Sequence, residues 1–600
     1  MSVRRLLLGI PLVVLLLSAT MAFSFWLVPK DRLNQLIETQ LSEAFGHDVR
    51  VRGRATVTVL PYLAVTFGPV SVSGDNAGSA PIAEIERASG RLSVMSLWDG
   101  SPALRYLEIE DAKIRVARYE DGSYNWAAAQ FFLEPEDETE EETGLRFPER
   151  LRFITLKNSM LIVENPDFDK PVTLNDMNLK IVGPPRSGSL VIDGDVSLRG
   201  ERLAVDIDLA RPGLFASGRA SAAEISVAGE RLEATFKGNL TAKDEITADG
   251  SLEADIPSAL DLASWLGFKG SRALPDEALR LIGDGVFTSS DLNFRPIAVR
   301  MAGGKADGRL AVDLSRETVD ISGTLAFDNL ALHTAAEEEN PHLSLLQEVL
   351  AITEEDVRLD IRLSADSAKI ARYNFTELAA TLVLSEDTFS ITIGSAELEG
   401  LGIDGEAQLS FGGGERTLNA DIIVRNAAAD SLRDYFELSQ PINGQMTLAM
   451  GVQAKGTDAR SLAKATELEF SVDVTSGALS GVWLPAVFSK TQGLDQAAIN
   501  NPGFQTPFER ALIHATVEQG GRLNLRKITM VGADFEVSAT GHTVPSTGDL
   551  VAAGQIVTTE NDAQDPGQGL TTKFMIVGPL DNPRISVIND VDILTPVSGQ

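Results

Sequence analysis

The 600-residue chain contains no cysteine. This absence excludes thiolate catalysis, cysteine-ligated zinc, iron–sulfur clusters and disulfides, and it leaves the redox compartment open. Aromatic residues are scarce at 6%, although 44% of the residues are hydrophobic, and 51 glycines and 26 prolines provide turns. Since 600 residues exceed a single hydrophobic core, we expect several domains or a repeating architecture of short strands.

Basic residues are outnumbered, with 52 Lys and Arg against 85 Asp and Glu, for a net charge of −33. Phosphates repel such a chain, so nucleic acid is excluded as a partner. The acidic side chains are typical of a solvated face that recurs over many strands. Residues 134–142 (EPEDETEEE) predict a solvated linker, because nothing there would fix the geometry of a divalent-ion site.

Catalytic motifs are also missing. There is no P-loop, no G-x-S-x-G and no H-E-x-x-H. Residues 400–405 match G-x-G-x-x-G, but the strand pattern of residues 406–411 follows where a dinucleotide site needs a helix, so these are predicted to be turn glycines. The histidines lack metal-ligand spacing: His47, His333, His342, His514 and His542. We therefore expect a non-enzymatic protein without a cofactor or metal.

An uncharged apolar run begins at Leu6 and ends at Val28. As a helix it would extend about 34 Å, enough to cross a bilayer core of about 30 Å. The alternative is a signal peptide cleaved near residues 20–22, but the apolar run continues past that point, which favours an anchor. Arg4 and Arg5 favour a cytoplasmic N-terminus.

The first elements after this run are an amphipathic helix and a strand. Residues 31–45 predict a helix that either lies on the membrane surface or caps the first sheet. From Val49 to Val59 the period changes to two, which predicts one strand. Its arginines, Arg50, Arg52 and Arg54, would meet anionic headgroups or nearby carboxylates, and we favour the carboxylates.

Residues 190–209 (LVIDGDVSLRGERLAVDIDL) show the pattern that recurs along the chain: a hairpin with one aliphatic and one acidic face. Residues 310–327 and 407–424 repeat it without a fixed period, which predicts a hairpin array and not a solenoid. Short helices are predicted where the alternation stops, at residues 257–267, 275–282, 341–352, 427–438 and 483–499.

Five short helices cannot cover the apolar face of twenty or more strands. The strands either fold into a sandwich whose apolar faces meet, or curl into a trough that holds lipid acyl chains at about 0.8 kcal/mol per CH₂. The pattern alone leaves both arrangements open.

Several segments resemble the AsmA family of bacterial envelope proteins. Near the N-terminus these are residues 53–57 (GRATV), 61–63 (PYL) and 121–126 (DGSYNW), after the apolar run. Towards the C-terminus, residues 477–482 (GALSGV) and 574–585 (FMIVGPLDNPRI) are similar to that family's closing module. The matches cover roughly the first and last 130 residues.

The resemblance implies a protein of the Gram-negative inner membrane, single-pass, with its body in the periplasm. Its relatives are linked to outer-membrane assembly and, through long apolar β-grooves, to phospholipid movement. The resemblance and the anchor favour the trough. Its expected partners are membrane phospholipids, the inner membrane and outer-membrane or other envelope proteins. The alternative is a regulatory or scaffolding protein that affects outer-membrane protein assembly or targeting without binding lipid.

The sequence thus predicts a mostly β fold: an N-terminal transmembrane helix, then an elongated antiparallel β-meander curled into an apolar groove, with a few short helices. Expected boundaries are 1–28 for the anchor, 29–130 for an N-terminal β domain, 131–146 for the acidic linker, 147–470 for the hairpin array and 471–600 for a C-terminal β module. Candidate groove-lining residues are Val57, Val59, Leu203, Val205, Ile207, Leu209, Leu310, Val312, Leu409 and Ile422.

Overall fold

A computed structural model of the chain describes most of its strands and connections. The predicted anchor, the acidic linker and Val59 lie outside the described residues. The described residues are 38–39, 41–42, 47–58, 64–73, 81–92, 104–117, 125, 152–164, 171–183, 188–243, 245–267, 276–301, 303–315, 318–332, 341–353, 356–370, 373–429, 442–484, 500–518, 521–544, 548–558, 571–579 and 584–588.

The predicted mostly β fold is confirmed, and the chain divides into two compact units. The first unit comprises residues 1–301 and 309–317, and the second comprises residues 302–308 and 318–600. The strands of the first unit are β1 Val49–Val51, β2 Thr56–Thr58, β3 Ala64–Phe67, β4 Val70–Val72, β5 Ala83–Leu92, β6 Leu104–Ala117, β7 Phe153–Glu164, β8 Val172–Val182, β9 Leu190–Leu198, β10 Glu201–Leu209, β11 Ser221–Ala228, β12 Glu233–Ala242, β13 Ile246–Ile256, β14 Leu279–Phe287 and β15 Asp291–Met301. Its helices are α1 Pro212–Ala216 and α2 Ala259–Leu266.

Strand β16 Gly304–Asp313 is divided between the units: residues 304–308 belong to the second unit and residues 309–313 to the first. The remaining strands belong to the second unit: β17 Val319–Leu332, β18 Val357–Ile370, β19 Tyr373–Leu384, β20 Thr388–Leu398, β21 Leu401–Ser410, β22 Arg416–Ala428, β23 Ile442–Gly456, β24 Glu467–Val482, β25 Asn500–Val517, β26 Leu523–Val531, β27 Phe535–Thr543, β28 Asp549–Thr558, β29 Thr571–Pro579 and β30 Arg584–Ile588. Its helices are α3 Pro341–Ile352 and α4 Ala459–Lys464.

From β5 to β15 and from β17 to β30, strands that follow one another in the chain are also neighbours in the sheet, mostly antiparallel as predicted. The first strands differ, because β1 pairs with β4, β2 pairs with β3, and β3 and β4 both pair with β5. Two pairs are parallel, β6 with β7 in the first unit and β17 with β18 in the second. A purely antiparallel meander is therefore wrong at these two places. A parallel pair needs a crossover connection, and the long connections that follow β6 and β17 provide it; the second one contains α3.

The hairpin of residues 190–209 forms as β9 and β10. The two-residue turn has Arg199 and Gly200 at φ 47° and 84°, the positive values of a tight hairpin turn. Ile192 pairs with Ile207, so the aliphatic residues of both strands share one face. Residues 407–424 form the equivalent hairpin of β21 and β22. The strand predicted after the G-x-G-x-x-G match is confirmed, but it begins at Leu401. Gly400 is therefore a turn glycine as predicted, whereas Gly402 and Gly405 lie within β21, so the turn prediction is wrong for these two.

Three element predictions need correction. The strand expected from Val49 to Val59 is interrupted between β1 and β2, where a side chain on Gly53 would lie 1.9 Å from the carbonyl oxygen of Gly68. The helix expected at residues 275–282 is wrong, because Leu279 begins strand β14 and pairs with Ile256. The helix expected from residue 427 is wrong at its start, since β22 continues to residue 428; residues 430–438 lie outside the described part.

The first sheet edge is covered by a helical segment. Residues 38, 39, 41 and 42 are helical, and Leu41 is buried in the core of the first unit. Ser42 Oγ accepts a hydrogen bond from the Val49 N–H (3.0 Å), and Glu38 Oε1 accepts one from the Val51 N–H (2.8 Å). These contacts are the ones expected of a segment that caps the sheet, and they satisfy backbone donors that an edge strand would otherwise expose.

Candidate functional site

The apolar face of the first unit carries a continuous row of paired aliphatic residues. Ile207 pairs with Ile192 on one side and Ile225 on the other, and Ile192 pairs with Ile181. A parallel row runs beside it through Leu179, Gly194, Val205 and Val227. We call the half-buried members of these rows the first strip: Ile181, Ile192, Ile207, Ile225, Leu179, Val205 and Val227.

The apolar face is buried at both ends of β10. At one end Leu203 is buried in the core of the first unit, against which Trp265 of α2 packs. At the other end Leu209 is buried just before α1, a helix that contacts β11 and β12. Val205 and Ile207 lie between these ends and are only half-buried. The first strip is therefore an apolar surface between two covered margins.

An ion pair with a buried carboxylate lies at the α2 margin. The Glu201 carboxylate accepts a bond from Arg231 Nη1 (2.7 Å) and bonds from the backbone N–H groups of Glu230 and Arg231 (2.7 and 3.0 Å). Arg231 also pairs with Asp261 of α2 (2.9 Å). Burial raises the pKa of Glu201, but its hydrogen bonds outweigh burial and leave that pKa below the ordinary value. The ionised Glu201 carboxylate therefore holds Arg231, and Arg231 in turn links α2 to the sheet through Asp261.

A longer row crosses the second unit. Ile422 of β22 pairs with Gly405 and Met450, and each of these pairs with an apolar or small residue of the next strand. The row is half-buried across the eight strands β17 to β24. We call it the second strip, and its members in chain order are Leu325, Leu363, Ala380, Ile393, Gly405, Ile422, Met450 and Phe470.

The second strip also has covered margins. On one side Leu384, Phe389 and Leu409 are buried together with Leu350 of α3 and Leu462 of α4. On the other side a second cluster contains Met446, Val474 and Phe508 among its buried members. Beyond β24 the row itself becomes buried, beginning with Ala515 of β25, which is 1% exposed. The half-buried surface therefore ends at β25.

The opposite face of the sheet is charged. Ion pairs join neighbouring strands along it, and their side chains are largely exposed. Pairs between exposed side chains contribute little to stability, and they keep this face in water. Representative pairs are Arg87–Glu110, Lys157–Glu108, Arg202–Asp195, Lys237–Glu224, Arg425–Asp404 and Arg510–Asp473. At the first strand, Arg50 pairs with the Asp48 carboxylate at 3.1 Å.

The predicted lining residues occupy different environments. Val205 and Ile207 belong to the first strip and Ile422 to the second. Leu203, Leu209 and Leu409 are buried by protein, so they lie at covered margins. Val57 packs against the core of the first unit, as does Val205 of the first strip. Leu310 and Val312 are half-buried in β16, outside both strips. The margin helices α1 and α4, which sequence reasoning missed, are five and six residues long and leave little periodicity to detect.

Further observations bear on function. Among the described residues no group of three or more His, Asp and Glu side chains is arranged to hold a metal ion. None of the helices in the described ranges is both long and apolar enough to span a bilayer. Comparison of the chain with protein-family models, with curated proteins and with solved structures gave no match.

Proposed function

We propose that this chain is a non-enzymatic envelope protein, anchored in the inner membrane with its body in the periplasm, that holds phospholipid acyl chains on the two strips and contributes to lipid transfer and outer-membrane biogenesis. The membrane location rests on the apolar run from Leu6 to Val28 and on the resemblance to the AsmA family. The lipid-holding role rests on the described surface.

The second strip is the observation that carries the proposal. It places half-buried apolar residues on eight neighbouring strands, with no charged side chain among its members. At about 4.8 Å between strands, the strip extends about 34 Å. Aliphatic surface in contact with water costs about 25 cal/mol per Å², and an acyl chain laid along the row would remove that cost. A lipid could slide along it, since successive positions are chemically alike.

Rows of β-bulges support the same proposal. In the second unit the strand pairing is interrupted at Asn426 of β22, and similar interruptions occur in β19, β20 and β24. In the first unit β7 and β8 carry them. A bulge bends its strand and increases the local twist, which is the local deformation that a trough requires.

The test is lipid extraction from the purified full-length chain, followed by mass spectrometry. We expect phospholipid to co-purify, and we expect Ile422→Asn to lower the amount several-fold. Ile423→Asn is the matched control, since Ile423 is the next residue and faces the charged side, opposite Asp404. It should keep the wild-type amount of lipid.

Two outcomes would overturn the proposal. A wild-type chain that carries no phospholipid and binds no detergent favours the scaffolding role without lipid. Unfolding of Ile422→Asn, measured by circular dichroism while Ile423→Asn stays folded, would assign Ile422 to a closed core instead of a lipid surface.

A further inference from the structure

The covered margin of the second strip has the same chemistry as the strip itself. On the same face, two rows away from the strip, paired residues of β18 to β23 form a row of Leu359, Leu384, Phe389, Leu409, Leu418 and Ala454. The row between them is half-buried and apolar, and consists of Ile361, Leu382, Ile391, Ala407, Ala420 and Val452. Leu384, Phe389 and Leu409 are only 3%, 5% and 2% exposed, whereas strip members such as Ile422 are half-buried. The difference comes from α3 and α4, which pack over this row. The helices therefore cover surface that could otherwise extend the strip.

Helix α4 is fastened by polar contacts. Its start is capped by Asp458, whose carboxylate accepts a bond from the Ser461 N–H (2.8 Å). Arg416 Nη1 of β22 donates to the carbonyl of Thr457 (2.8 Å), which joins the start of the helix to the sheet. A short connection on each side ties α4 to the paired strands β23 and β24. We expect α4 to stay in place.

Helix α2 in the first unit is fastened in the same way. Arg199 Nη1 donates to the carbonyl of Trp265 (2.9 Å), and Asp261 pairs with Arg231. The cap residue Ser258 donates to Asp276 (2.6 Å). Charge-assisted bonds of this kind must be broken before the helix can leave the sheet.

Helix α3 differs from both. The side chains described for α3, at positions 346, 347 and 349–352, show no hydrogen bond or ion pair to the sheet. Leu346, Val349, Leu350 and Ile352 lie in the apolar cluster of Leu384, Phe389 and Leu409, which α3 shares with α4. It belongs to the crossover from β17 to β18, so connections of several residues flank it. Non-directional apolar contacts can be exchanged for contacts with an acyl chain at little net cost.

We propose that α3 is a lid on the second strip, which lifts from the row of Leu384, Phe389 and Leu409 so that an acyl chain can take its place. This inference rests on the proposed lipid-holding function and adds its regulation. With the lid closed, only the strip accepts lipid. With the lid open, the covered row becomes available, so lipid and α3 compete for one surface.

The absence of cysteine makes a direct test possible. Leu350→Cys places a single thiol on the covered side of α3, where the residue is 6% exposed, and Leu203→Cys places one at the α2 margin of the first unit, where the residue is 7% exposed. Each full-length variant is treated with a water-soluble maleimide, with and without vesicles of phosphatidylethanolamine and phosphatidylglycerol. Because α3 leaves the row when lipid occupies it, we expect vesicles to raise the labelling rate at position 350 by about tenfold and to leave that at position 203 unchanged.

Hydrogen exchange on the unmodified chain provides a second measurement, which does not depend on how well the variants fold. Amides of α3 should exchange faster with vesicles, and those of α2 should not. If phospholipid co-purifies but vesicles change neither the labelling at position 350 nor the exchange in α3, the proposed lid is wrong while the proposed function of the strip stands. If no phospholipid binds at all, the proposed function itself fails.

Discussion

Glu201 is the one charged residue of β10 that lies on the apolar face, and its surroundings explain why it is tolerated there. Its side chain is 4% exposed, yet its carboxylate receives three hydrogen bonds. Loss of one partner of such a group usually costs about 1–3 kcal/mol, because a buried polar group is left unsatisfied. Arg231 is 32% exposed, which places the pair towards the lower end of this range.

We predict that Glu201→Gln destabilises the first unit by about 1–2 kcal/mol at neutral pH. The pKa of Glu201 is lowered by folding, so its ionised form stabilises the fold. This contribution is fully present above the ordinary carboxyl pKa, declines as the pH falls below it, and is gone below the lowered pKa of the folded state. The difference between wild type and variant should therefore shrink in acid.

Urea unfolding at neutral and acidic pH measures this difference. Asp193→Asn is the control, since Asp193 pairs with Lys180 but is 56% exposed, and it should change stability by less than about 0.5 kcal/mol. An equal effect of Glu201→Gln at both pH values would show that its charge does not stabilise the fold.

The strands carry bulges at residues with a left-handed backbone. Asn426 has φ 54° and lies between Val424 and Ala427 of β22, which both face the apolar side. One residue is inserted, so two residues separate apolar positions that a regular strand separates by one. Positive φ also accompanies a shift of strand register at Asn158, Asp176, Glu377 and Ser476.

We predict that Asn426→Gly keeps the stability of the second unit and that Asn426→Val lowers it by about 1–2 kcal/mol, because a branched side chain disfavours positive φ. Asn419→Val, at a regular exposed position of the same strand, is the control and should change stability by less than about 0.5 kcal/mol. Thermal unfolding of the three variants measures the differences. A loss of similar size in Asn419→Val would attribute the effect to the side chain and not to the backbone.

Much of the strand arrangement follows from the sequence, because strict alternation in residues 190–209 fixes both the hairpin and its apolar face. The bulges do not follow from the sequence. Two polar residues in succession, such as Arg425 and Asn426, break the alternation of apolar and polar residues, and such a break predicts the end of a strand. The helix predicted at residues 275–282 rested on a loss of alternation, but from Leu279 onward the residues alternate in burial as they pair with β13. The sequence also does not predict the covered margins. Alternation places Leu409 on the apolar face, but it does not show that α3 and α4 cover this row.

At the scale of the whole molecule, each unit has its own apolar strip with its own covered margins. The first strip is bounded by the cores around Leu203 and Leu209, and the second ends where Ala515 is buried. Because each strip is assembled from strands of one unit, removing apolar surface from one should leave lipid bound to the other.

We therefore predict that Ile207→Asn and Ile422→Asn each remove part of the phospholipid that co-purifies with the full-length chain, and that the double variant removes most of it. The sites are on separate units, so their effects should add. Quantitative mass spectrometry of extracted lipid measures the amounts, and Ile423→Asn is again the control. Complete loss of lipid in either single variant would mean that the strips do not hold lipid independently.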